Sequence, residues 1–257
     1  MRTLELTRRG VLGTVAVLVV AGVCIRLGIW QLERRAERQA RNALIAERMD
    51  APPVMLERAP MDTAGLAYRR ARLAGAVDDD RAIVLAGRSR NGAPGVHVLS
   101  PVRLGGGAVL VNRGWLPAPD AATADLGPVR IEGAVQVEGV LVPFPDVDLD
   151  TEPDGFRTRW FRVDGSAIRA QYPYPVAPLY LVATARPEPV RSGPGTPGAG
   201  MDSARAPGDA VGPVPLEPPT VEPGPHLSYA IQWFSFAAIF LIGWIVLLLR
   251  RPGPGDG

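Results

Sequence analysis

Lysine is missing altogether: all 28 basic residues are arginine. The chain has two histidines, His97 and His226, and one cysteine, Cys24. Each scarcity removes a class of chemistry. A lone cysteine forms no internal disulfide and supplies no Cys-x-x-Cys pair for zinc, a redox dithiol or a thiolate copper site. Two histidines restrict any Ser-His-Asp triad to His97, which lies inside a strand-like stretch. The nearest approach to a nucleophile elbow, "GRSRNG", has one residue too many. No phosphate loop or dinucleotide fingerprint is present. The run "DVDLDTEPDG" opens like a calcium loop, but Thr151 stands where glycine is needed and Arg157 where a bidentate glutamate is needed. Met49, Met55 and Met61 are spaced too widely for a compact thioether copper site. The net charge of +2 carries no nucleic-acid signature. Nucleophilic hydrolysis therefore finds little support in the residues, and an extracytoplasmic hydrolase stands only as the remote alternative.

Two long apolar runs are present. Gly10 to Ile25 and Leu227 to Leu249 are uncharged throughout, and a helix of about 20 residues spans a bilayer. The first run reaches spanning length by continuing to Trp30, with Arg26 snorkelling to the interface. No small-x-small cleavage site follows it, so an uncleaved anchor is expected rather than a signal peptide. Arg8 and Arg9 precede the first span and Arg250 and Arg251 follow the second. Positive charge at both ends predicts cytoplasmic termini, with the intervening domain outside the plasma membrane. The implied organisation is a cytoplasmic start (1–9), transmembrane helices over 10–30 and 226–249, and a cytoplasmic tail (250–257).

Between the spans, "WQLERRAERQARNALIAERM" lacks glycine and proline and predicts a juxtamembrane helix over 31–50. Its weakly apolar stripe is Leu32, Ala36, Ala40 and Leu44. Over 51–186 the period becomes that of strands. "VRIEGAVQVEGVLV" alternates, and after Gly139 its apolar phase slips as one inserted bulge residue would require. Further strands are read in "RRARLAGAV", "RAIVLAG", "VHVLSPVRL", "AVLVNRGWL", "TRWFRVD" and "PLYLVAT", with "RNGAPG" and "GGG" as turns. A small antiparallel β-rich domain, sandwich or barrel-like, is therefore expected between two transmembrane helices. From 187 to 225 the chain holds 11 prolines and 7 glycines and reads as a linker.

His226 opens the second span. On a helix Tyr229 and Trp233 share its face, and Gln232 and Ser235 add polar atoms to the outer turns. Two readings stand open from the residues alone. His226 caps the helix while the aromatics form an interfacial belt, or the polar group faces a ligand or partner.

The chain also resembles the surfeit locus protein 1 family of bacterial type. "GIWQLERR" after the first span is similar to that family's Gly-x-Trp-Gln-Leu-x-Arg signature, matched here by Gly28, Trp30, Gln31 and Arg34. "RLAGAV", "GRSRNGAPGVHVLSPVRL" and "VLVNRGWLP" follow its central pattern in order, with Asn112, Arg113, Gly114 and Trp115 as the core. "HLSYAIQWFSFA" resembles its entry into the second span, and the Pro/Gly linker is longer than that pattern has it. The resemblance implies a non-catalytic, membrane-anchored assembly factor for haem-copper cytochrome c oxidase. Its implied partners are the haem-bearing subunit and the haem a synthesis machinery, together with membrane lipid and no nucleic acid. It also implies a transient haem a, with His226 the candidate ligand to the haem iron. Beside it, Tyr229 and Trp233 are read as an apolar wall and Arg26 or Arg34 as propionate partners. A scaffold that binds no haem is the alternative.

Overall fold

The computed structural model describes residues 8–145, 155–190, 212–219, 222 and 224–249. Residues 1–7, the calcium-loop-like stretch over 146–154, 191–211 of the linker and the tail from 250 lie outside the described residues. The chain divides into two compact units, Met1–Ile45 with Val221–Gly257, and Ala46–Thr220.

The first unit is helical. Helix α1 (Arg8–Asp50) is continuous, as a run with neither glycine nor proline from Ile29 to Asp50 favours. Helix α3 (His226–Leu249) is almost wholly apolar. Both are long and apolar enough to cross a membrane. They meet through small residues: Ala21, Cys24 and Ala237 are buried, with Trp233 and Leu241 packed against them. Near the other end, Trp244 Nε1 donates to Thr14 Oγ1 at 3.0 Å. The remaining faces expose large apolar side chains, among them Leu12, Leu18, Val19, Ile239, Ile242 and Leu247.

The second unit is a curled sheet of strands β1 (Val54–Leu56), β2 (Arg70–Val77), β3 (Ile83–Arg90), β4 (Ala93–Leu104), β5 (Gly107–Pro117), β6 (Ala134–Pro143), β7 (Arg159–Trp160), β8 (Val176–Ala183) and β9 (Glu188–Pro189), with one short helix, α2 (Gly165–Ala170). The path β2-β6-β8-β5-β4 returns to β2 through Ala76↔Arg103 and Val77↔Val102, so the sheet closes as a barrel rather than a sandwich. Closure leaves these five strands without a free edge. Leu73, Val109, Val111, Val137, Leu141, Leu179 and Leu181 fill the interior. At about 1.5–3 kcal/mol for each large apolar side chain buried, this cluster is the main stabilising force of the unit. A second cluster of Ile83, Leu85, Leu99, Leu110, Phe144, Trp160 and Ile168 packs α2 against the outside of the sheet.

Three details differ from the sequence reading. The sheet is mixed, because β1–β2, β3–β7 and β5–β8 are parallel. The bulge expected at Gly139 is absent: β6 pairs residue by residue with β2 and with β8. Val135, Val137 and Leu141 stay in the interior cluster while Val140 is buried on the opposite face. The change of phase therefore records a strand buried on both faces. Finally, parts of the stretch read as a linker are paired, Glu188 and Pro189 with β6 and Val214 with Trp115.

Candidate functional site

The central motif lies at the end of β5, where Val109 and Val111 line the barrel interior and Ala108 and Leu110 join the outer cluster. Arg113 is 4% exposed. Its Nη1 donates to both Asp79 carboxylate oxygens at 3.1 and 3.0 Å and to Ser100 Oγ at 3.3 Å, and its Nη2 donates to the Val129 carbonyl. Asp79 accepts further from Ser100 Oγ and from the Ile131 amide at 2.7 Å. Burial pulls the Arg113 guanidinium below its ordinary pKa, and the Asp79 carboxylate opposes the shift. This is a structural charge pair rather than a partner-facing one. Asn112 Oδ1 accepts from the Gly114 amide at 3.1 Å, and its Nδ2 lies 3.4 Å from His97 Nδ1. Burial, then Arg88, lower the His97 pKa to about 4, which keeps the ring neutral.

Gly114 adopts φ +121°, and a Cβ there would lie 2.0 Å from the Val214 carbonyl oxygen. That space admits the returning chain, which bonds to the Trp115 backbone at 2.8 and 2.7 Å. Trp115 is half-buried, with Nε1 3.4 Å from the Arg88 carbonyl. The "NRGW" core thus fastens the end of the barrel and the strap over it.

The helical unit holds the other motif residues. Gly28 is buried, and a Cβ built on it would lie 2.7 Å from the Phe234 ring. Close approach of the helices here brings Gln31 to His226: Oε1 lies 2.9 Å from Nδ1. The amide oxygen can only accept, so the imidazole donates through Nδ1. Nε2 has no hydrogen-bond partner among the described residues. Two further side chains fasten the segment that enters α3. Arg38 Nε and Asn42 Nδ2 each donate to the Glu222 carbonyl at 3.1 Å. Gly224 follows at φ +72°, and a Cβ on it would sit 3.5 Å from His226 Nε2 and 3.7 Å from Arg38 Cδ.

The expected companions of His226 separate. Trp233 faces α1 and packs edge to face with Phe236 at 5.9 Å between centroids, whereas Tyr229 is exposed. Arg26 pairs with Glu33 at 3.7 Å. Arg34 pairs with Glu37 at 2.8 Å and lies 5.7 Å from the centroid of exposed Trp30. The arginine beside the imidazole is Arg38, which the sequence reading passed over. Its signal was periodic: Gln31, Arg38 and Asn42 share one helical face. Leu32 and Leu44 of the expected apolar stripe are exposed, because the chain packed against this end of α1 presents a carbonyl and an imidazole rather than an apolar surface.

Among the described residues, no three of His, Cys, Asp or Glu gather where they could hold a metal ion. A single imidazole with a presented nitrogen, apolar helix faces and nearby arginines instead suits a metal whose other ligands travel with it.

The sequence model of the SURF1 family matches residues 18–238. A SURF1-like protein of Monosiga brevicollis is 27% identical over 93% of this chain and 87% of its own length. Surfeit locus protein 1 of Mus musculus is 23% identical over 91% of this chain and 75% of its own. An uncharacterised SURF1-like protein of Mycobacterium bovis is 26% identical over 84% of this chain and 74% of its own.

Proposed function

Given that this chain belongs to the SURF1 family, we propose that it is a membrane-anchored, non-enzymatic assembly factor for haem-copper cytochrome c oxidase, holding haem a as cargo for the haem-bearing subunit. The observation that carries this reading is His226, tied through Nδ1 to Gln31 with Nε2 unengaged. Haem supplies four nitrogens to its own iron, so one axial imidazole suffices where a bare ion would need several protein ligands. His226 is the residue proposed to hold the iron. Arg38 is the cation best placed for a propionate, ahead of Arg26 and Arg34, which are engaged in exposed ion pairs. Haem is apolar across its ring and ionised at its propionates, so the edge of a bilayer suits both ends.

The same reading places α1 and α3 in the plasma membrane with both termini cytoplasmic. The exposed apolar faces of both helices support insertion, since such surface in water would drive aggregation. The arginines at the two ends support the orientation.

The test is the absorbance spectrum of protein purified from cells that make haem a, scaled to protein, for wild type and His226→Ala. Wild type is expected to carry a haem a band and His226→Ala to lose most of it while inserting normally. Equal haem in the two, or none in either, would turn the reading to a scaffold that binds oxidase subunits without haem.

A further inference from the structure

A neutral imidazole carries its proton on one nitrogen and offers a lone pair on the other, and the hydrogen bond made by one nitrogen decides the state of its partner. In water the neutral ring prefers the proton on Nε2, which would block that nitrogen as a ligand. At His226 the preference is reversed by an acceptor: Gln31 Oε1 lies 2.9 Å from Nδ1. We infer that Gln31 is a positioning residue, selecting the Nδ1–H tautomer of His226 and thereby presenting Nε2 to a metal-centred ligand.

The surroundings hold the ring for that purpose. Gln31 projects from α1 three residues, about one turn, beyond the close contact of Gly28 with Phe234 that sets the spacing of the helices. Arg38 and Asn42, one turn apart on the same face, grip the Glu222 carbonyl and so fix the chain that leads into His226. Gly224 passes beside Nε2 without a side chain to cover it. A hydrogen bond from the second nitrogen of a ligating imidazole orients the ring and raises its basicity, and its loss typically weakens metal binding about 10–100-fold. The identity of the ligand as haem rests on the function proposed above; the tautomer is a property of this chain alone.

Two measurements separate these. The first is nitrogen NMR of the full chain in detergent micelles, labelled with 15N-histidine, at a pH where the rings are neutral. With only two histidines, substitution of His97 by Gln assigns the signals. Wild type is expected to show a protonated Nδ1 and an unprotonated Nε2 at His226, and Gln31→Leu to move the proton to Nε2 or average it. An Nε2–H tautomer in wild type would overturn the inference, as would a tautomer unchanged in Gln31→Leu. The wild-type spectrum decides even where the variant fails to fold.

The second is titration with ferric haem b followed by absorbance. Gln31→Leu is expected to bind about 10–100-fold more weakly. Gln31→Glu, which keeps the acceptor and adds charge, should retain binding and lower the midpoint potential. Equal loss in both variants would reduce Gln31 to a packing residue and overturn its role. The Nδ1–H tautomer together with no haem binding by wild type would sink the haem reading and leave the role of Gln31 intact.

Discussion

Arg113 illustrates how a residue's role depends on what its neighbours bring to it. As part of "NRGW" it could have been a surface charge, an internal partner or a contact for another subunit. The fold surrounds it with Asp79, Ser100 and the Val129 carbonyl and leaves its side chain 5% exposed. Removing one member of a buried pair strands the other charge, at a cost of about 3–5 kcal/mol. Arg113→Ala is therefore expected to lower the denaturation midpoint of the purified protein sharply and to deplete it in cells. The double variant Asp79→Leu/Arg113→Met should be closer to wild type than the single change, since replacing both partners strands neither. An Arg113→Ala protein of normal stability and abundance would return the residue to a partner surface.

Helix α1 shows the same dependence for a whole element. Its composition predicts a long helix, and its spanning segment follows from length and hydropathy. The face that packs does not follow from apolarity, because the contact is made by small residues and polar groups rather than by large apolar ones. Gly28 stands under the Phe234 ring at 2.7 Å from a built Cβ, whereas Gly22 has nothing within 4 Å. Forcing bulk into a close helix contact costs roughly 1–3 kcal/mol. Gly28→Leu is expected to lower the thermal stability of the detergent-solubilised protein, while Gly22→Leu leaves it unchanged. Equal effects of the two would mean that the helices do not approach at Gly28.

For the whole molecule, the orientation proposed above fixes which compartment sees the barrel. The argument rests on arginines at the two ends, Arg8 and Arg9 before α1 and Arg250 and Arg251 after α3. Alkaline phosphatase, active only outside the cytoplasm, is expected to be silent when fused after Gly257 and active when it replaces everything after Arg186. Activity in the first fusion with silence in the second would invert the topology and place the barrel in the cytoplasm.

By itself the sequence determined the properties that are local or additive. Span length, strand alternation and turn chemistry each depend on residues a few positions apart, so β2 to β6, β8 and both long helices were legible in it. Motif order likewise identified the family, because it needs no coordinates. Tertiary structure decided what depends on partners distant in the chain. The closure of β2 onto β4, the parallel pairing of β5 with β8 and the strap of Val214 over Gly114 join segments whose own patterns do not name their mates. The same holds at the candidate site, where 195 positions separate Gln31 from His226. Helical periodicity put Gln31, Arg38 and Asn42 on one face, but only the packing of α3 against that face turned the hydrogen-bonding capacity of an amide into control over which nitrogen of an imidazole is presented.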